Sequence, residues 1–179
     1  MAKRPKVCES ILVKTWAQQY NRLQANRDYD VFNESGEKIA QATSVWAAIN
    51  VESRSHARLS PEIMDVYGCE PEHQNFPGFK FGKVRKPETS FLPSQTFTIH
   101  KAMIDCNHHV HNPAFLDLAA EGLPEGLDTV LFDNMEVSYK KEIRPGETVL
   151  IEYVKDAERH TVFISDHTDS SLHATIILY

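Results

Sequence analysis

Asp105, Asn107 and His109 recur at every second position of Ile104-Asp105-Cys106-Asn107-His108-His109-Val110-His111-Asn112-Pro113. In an extended loop their side chains would all point the same way. A carboxylate, an amide and an imidazole side by side can move a proton and polarise a carbonyl. A helix is predicted to begin immediately afterwards. Asn112 is a good N-cap, because its side-chain oxygen can accept an orphan amide of the first turn, and Pro113 suits the next position, where a missing N–H is no loss. Ala114, Phe115, Leu118 and Ala119 then form an apolar helical stripe that Gly122 ends. The triplet would lie at the mouth of a buried helix. The free amides expected there, from Asn112 and Ala114 onward, and the positive dipole end suit an oxygen that gains negative charge during acyl transfer.

The elements that must hold this loop are legible from periodicity. Residues 9–16 read as a strand. Leu23 to Phe32 alternates through Leu23, Ala25, Tyr29 and Val31, with Arg27 interrupting, and Asn33-Glu34-Ser35-Gly36-Glu37 supplies a turn. Ile39 to Val51 alternates through Ile39, Thr43, Val45, Ala47 and Ile49, completing a three-stranded antiparallel meander over residues 1–59. Between Ser60 and Ser94 periodicity fails and five of the nine prolines gather. Apart from a short helix near Glu62 to Tyr67, residues 60–94 are expected to be a surface linker. The second half, 95–179, has a strand at Gln95 to His100, the loop and helix, then four strands near 130–142, 147–155, 160–166 and 171–178. Arg144-Pro145-Gly146-Glu147 makes a turn between two of them. One strand, one helix and an antiparallel meander give an α+β unit whose sheet wraps the helix. That is the layout of a hotdog domain, and the first half looks like the last three strands of a second one.

Composition narrows the function classes. A hydrophobic content of 41% and a charged content of 25% are ordinary for a globular protein, and no apolar run is long enough to span a membrane. The basic start, Met1 to Lys6, lacks the apolar core of a secretory signal, so a cytoplasmic protein is expected. A formal net charge of −6 argues against nucleic-acid binding. Cys8, Cys69 and Cys106 are an odd, widely spaced set that fits reduced thiols. Against this acidic background Lys80, Lys83, Arg85 and Lys86 form a local basic cluster around Phe79 and Phe81. It reads as a solvated loop or as a dock for an acidic partner.

At this point the chain resembles the acyl-ACP thioesterase family of bacteria and plant plastids. The family's Asp-x-Asn-x-His-Val-Asn-Asn pattern is matched by Asp105, Asn107, His109, Val110 and Asn112, with His111 where an asparagine is usual. Its Tyr-(Arg/Lys)-(Arg/Lys)-Glu strand is matched by Tyr139-Lys140-Lys141-Glu142, and the cysteine often found next is Ile143 here. Lys14-Thr15-Trp16, Arg27-Asp28-Tyr29, Gly36 and Ala42-Thr43-Ser44-Val45-Trp46 also follow the family. The resemblance implies a double hotdog and hydrolysis of fatty acyl-ACP, or acyl-CoA, in fatty acid biosynthesis, with acyl carrier protein as the partner at the basic cluster. Family members usually begin with a strand and a long helix ahead of the first meander. This chain starts at the strands that follow, so its first sheet is expected to expose an apolar face and to favour a homodimer.

By resemblance, Glu142 or Asp105 activates water or attacks directly, while Asn107 and His109 bind the carbonyl and position the nucleophile. On a regular strand Glu142 shares its parity with Ser138 and Lys140, so a bulge or the strand end must turn it toward the helix mouth. The loop also reads as turn-forming side chains bonded to backbone. His100, His108, His109 and His111 invite a metal, but their spacing fits neither a helical pair nor a finger, and neither metal nor cofactor is expected. Cys106 is expected to be a small buried residue rather than a nucleophile. A non-catalytic acyl-binding hotdog and a hotdog hydratase or dehydratase acting on an acyl thioester are the competing classes.

Overall fold

A computed structural model of the chain describes residues 1–50, 52–53, 55–82, 84–87, 94–127 and 130–179. Two compact units divide it, Met1–Phe81 and Gly82–Tyr179. Among the described residues no helix is long and apolar enough to cross a membrane.

The first unit is an antiparallel meander of β1 (Leu12–Tyr20), β2 (Gln24–Phe32) and β3 (Lys38–Ala47) in that order. The expected turn joins β2 to β3. Gly36 adopts a φ of 78°, which a residue without Cβ accepts freely, and the Gly36 and Glu37 amides both close onto Asn33. β1 begins three residues later than expected and runs further, through an irregularity in register between Ala17 and Tyr20.

Pairing Thr15 with Tyr29 and Tyr29 with Ala42 splits the expected apolar positions between two faces. Ala25, Tyr29 and Val31 lie on one face, whereas Thr43, Val45 and Ala47 share the other with Asp28 and Trp16. The expected linker covers part of this second face. The His73 ring stacks on Trp16 with centroids 4.2 Å apart, and Trp16 Nε1–H donates to the His73 carbonyl at 2.8 Å. The Glu70 amide bonds the Ala17 carbonyl, and the Asn75 amide bonds fully buried Asp28 at 2.6 Å. Residues 60–81 therefore belong to the first unit, with α1 (Pro61–Asp65) as its one helix among the described residues. Proline ends regular structure without preventing packing, and an irregular backbone whose polar groups bond a sheet need not run free over the surface.

The second unit is built on β4 (Gln95–Thr98), β5 (Met135–Tyr139), β6 (Thr148–Asp156), β7 (Arg159–Asp166) and β8 (Leu172–Leu178), all antiparallel, in the order β4-β6-β7-β8-β5. A 3-10 turn over Lys101–Met103 leads into the central loop, and α2 (Ala114–Glu121) packs across β6, β7 and β8. The apolar stripe read from sequence is the one buried: Ala114, Phe115, Leu118 and Ala119 meet Val149, Ile151, Val162, Ile164, Ala174 and Ile176 in one core. Gly122 does end the helix, with an ordinary right-handed φ of −84°. Its role is spatial, since a Cβ there would run into Ile151 Cγ2 and crowd Val162.

Candidate active site

The central loop is a closed turn rather than an extended segment. Ile104 bridges Val110, the Asp105 amide bonds the His109 carbonyl at 2.9 Å, and the His108 amide bonds the Asp105 carbonyl at 3.1 Å. His108 pays for the tightness with a φ of 63°. Asp105 is the hub. Its Oδ1 accepts the Asn107 amide at 2.8 Å and, more weakly, the His109 amide at 3.5 Å, while Oδ2 accepts the Asn107 side-chain amide at 3.2 Å. The His109 ring nitrogen Nδ1 lies 3.6 Å from Oδ1, beyond hydrogen-bond length but close enough for charge to orient the ring. Partial burial pushes the Asp105 carboxyl up, yet the Asn107 and His109 bonds outweigh it and hold the group below the usual carboxylate range. A carboxylate so engaged is a poor proton acceptor.

The helix mouth also differs from the expectation. Pro113 is already right-handed helical and caps α2 without a side-chain bond. The turn it starts is tight, so the Ala114, Phe115 and Leu116 amides bond the His111, Asn112 and Pro113 carbonyls at 3.0, 3.2 and 2.9 Å. Ala114, expected to offer a free amide to an oxyanion, is fully buried and has its N–H occupied. Among the described backbone bonds the Asn112 amide, on an exposed residue, has no partner.

Glu142 reaches this neighbourhood through a bulge. β5 stops at Tyr139, and the Lys140 and Lys141 amides both bond the His173 carbonyl, at 2.7 and 3.3 Å. Two residues facing one reset the alternation, which breaks the shared parity with Ser138. Ile143 is then fully buried, and its carbonyl accepts the Val110 amide at 2.9 Å. Glu142 and His109 thus each sit one residue ahead of a bonded pair. Arg144 Nη2 donates to Glu142 Oε1 at 3.2 Å, leaving the carboxylate partly exposed. Tyr139 ties strand to helix as well, donating to the Asn112 carbonyl at 3.3 Å and packing edge-on against Phe115.

The chain matches the family model of the acyl-ACP thioesterase N-terminal domain over residues 1–67 and that of the C-terminal domain over residues 88–176. It belongs to the acyl-ACP thioesterase family. Oleoyl-acyl carrier protein thioesterase 2, chloroplastic, of Arabidopsis thaliana is 28% identical over 156 residues, which cover 82% of this chain and 42% of that protein. The crystal structure of an acyl-ACP thioesterase from Bacteroides thetaiotaomicron superposes with a TM-score of 0.79 at 27% identity, covering 95% of this chain and 68% of the other. The 12:0-ACP thioesterase from Umbellularia californica shares the fold, with a TM-score of 0.76 at 16% identity over 95% of this chain and 67% of that one. The chain spans about two fifths of the length of the Arabidopsis protein.

The hotdog architecture expected from sequence is therefore that of the family. Within it, Cys106 departs from expectation, since it is exposed at the tip of the closed loop rather than buried. None of His100, His108, His109 and His111 belongs to a three-ligand group among the described residues. The basic cluster is thinner than its sequence suggests. Lys86 is half-buried in an ion pair with Glu152, Lys83 lies outside the described residues, and the exposed members Lys80 and Arg85 fall in different units. Residue spacing gave no sign of Arg144 beside Glu142, because that contact depends on how the chain leaves the bulge.

Proposed function

We propose that this protein hydrolyses the thioester of fatty acyl-ACP, and acyl-CoA less efficiently, to free fatty acid and carrier thiol. The observation that carries the reading is the bond from the Val110 amide to the Ile143 carbonyl, which joins the backbone next to His109 to the backbone next to Glu142. Glu142 is the general base. It takes a proton from water as the water oxygen adds to the carbonyl carbon. The oxyanion so formed is met by the Asn112 amide, which has no partner among the described backbone bonds, and by the Asn107 side-chain amide, which has one N–H beyond the bond to Asp105. Collapse breaks the C–S bond, and the proton held by Glu142 passes to the departing thiolate, directly or by way of His109. Asp105 is a positioning residue here, closing the loop and orienting the His109 ring.

Family membership supports an acyl-ACP substrate, and acyl carrier protein is the partner we assign. Of the basic cluster, Lys80 in the first unit and Arg85 in the second are exposed, and each by itself offers a charge suited to an acidic partner. Thiol release measured on a panel of acyl-ACPs and acyl-CoAs tests the reading. Turnover of acyl-ACP with stoichiometric free fatty acid is expected. Hydration of an enoyl thioester without thiol release would point to a hydratase, and binding without turnover to an acyl-binding protein.

A further inference from the structure

At one end of the second sheet, three neighbouring strands bring a metal-ligand type of side chain to one place. Glu147 precedes β6, Asp166 ends β7 and His173 stands near the start of β8, with ligand atoms within 4.8 Å of one another. The strands lie in the order β6-β7-β8, and the convergence is fixed by backbone bonds at that end. The His167 amide bonds the Thr148 carbonyl at 3.2 Å, and the Asp166 amide bonds the Ser171 carbonyl at 2.8 Å.

His173 supplies the decisive detail. The residue is fully buried, and Nδ1 lies 3.3 Å from the Lys141 carbonyl. A carbonyl only accepts, so Nδ1 is the donor to Lys141 and Nε2 is the ring nitrogen left for another partner. Nε2 is buried without a hydrogen-bond partner, 3.9 Å from Asp166 Oδ2. A ring nitrogen buried without a partner costs free energy, and one that faces two carboxylates is satisfied by a cation held between them. Asp166 accepts hydrogen bonds from the Thr168 hydroxyl and from the Thr168 and Asp169 amides. All three bonds fall on Oδ1, which leaves Oδ2 for the cluster. Glu147 likewise spends Oε2 on the Arg144 amide at 3.0 Å. Lys141 adds positive charge nearby, but its Nζ is held 3.0 Å from Ser171 Oγ and 3.9 Å from Asp169.

We propose that Glu147, Asp166 and His173 form a binding site for a divalent transition-metal cation of the zinc class, structural in role and separate from the hydrolytic loop. One imidazole nitrogen and two carboxylate oxygens are donors that zinc accepts, with water as a fourth. A ring N–H given to a backbone carbonyl is the outer-shell arrangement usual for a metal-bound histidine. Zinc bonds of about 2.0–2.2 Å set tetrahedral donors about 3.4 Å apart, so modest side-chain rotation closes the site.

Isothermal titration with zinc chloride, read beside thermal unfolding, tests this on the whole chain. The protein and its Cys8→Ser/Cys106→Ser variant are both expected to bind one zinc and melt at higher temperature with it. Glu147→Gln, which keeps the bond to the Arg144 amide, should weaken binding at least tenfold without changing the circular dichroism or the zinc-free melting temperature. Asp166→Asn should weaken binding as far where it folds. Absence of binding at millimolar zinc, binding unchanged in Glu147→Gln, or binding lost with the two cysteines would overturn the proposal. So would nitrogen NMR showing His173 doubly protonated at neutral pH and unaltered by zinc.

Discussion

Asp105 and Glu142 are both carboxylates of the family pattern, and their surroundings separate their work. Asp105 has both oxygens engaged by its own loop, whereas Glu142 Oε1 accepts from Arg144, outside that loop. Glu142→Gln is accordingly expected to lower kcat by about 10²–10⁴-fold, the usual loss for a general base, with the circular dichroism unchanged. Asp105→Asn keeps an oxygen for the Asn107 amide, so it should retain more activity than Asp105→Ala. Equal losses in the two would assign Asp105 a direct role in the chemistry. Cys106→Ser should leave turnover unaltered. Asp166 gives a pH prediction. Its folded pKa of about 2 lies below the ordinary value of 3.8, so its stabilising bonds are fully present above that value and are lost as pH falls through about 2. Melting temperatures taken with a chelator from pH 5 down to 2.5 should fall less steeply in Asp166→Asn than in the parent chain.

At the scale of elements, the helix and the bulge decide what the residues can do. α2 is held against the sheet at its C-terminal end by the close approach of Gly122 to Ile151, and its N-terminal turn consumes its own amides. Gly122→Ala overpacks that contact and should cost roughly 1–3 kcal/mol in urea unfolding. A neutral result would mean that β6 yields there. The bulge at Lys140 and Lys141 is the second device. Without it the chain would carry Glu142 on the Ser138 side of the strand.

At the scale of the whole molecule, the first unit presents exposed apolar side chains, with Val13 at 50% and Trp46 at 56% of full exposure on one face of its sheet. Apolar surface of this kind favours association with a like surface. Sedimentation velocity is expected to show a concentration-dependent dimer that Trp46→Lys weakens. A monomer at every concentration would show that this face needs no partner copy.

What the sequence determined by itself was whatever depends on local period and on residue type. The strands of both sheets, the buried stripe of α2, the Gly36 and Gly146 turns and the α+β hotdog class all follow from alternation, helical spacing and backbone freedom at particular residues. The identity of the polar loop was equally plain, since Asp105, Asn107 and His109 stand close in the chain. Tertiary structure alone decided the rest, because each part of it joins residues far apart in sequence. The Val110 to Ile143 bond places Glu142, the packing of His73 and Asn75 on β1 and β2 turns an expected linker into part of the first unit, and the ion pair with Glu152 removes Lys86 from the basic cluster. The buried His173 between Glu147 and Asp166 is of the same kind: three strands had to be laid side by side before its unpaired nitrogen meant anything.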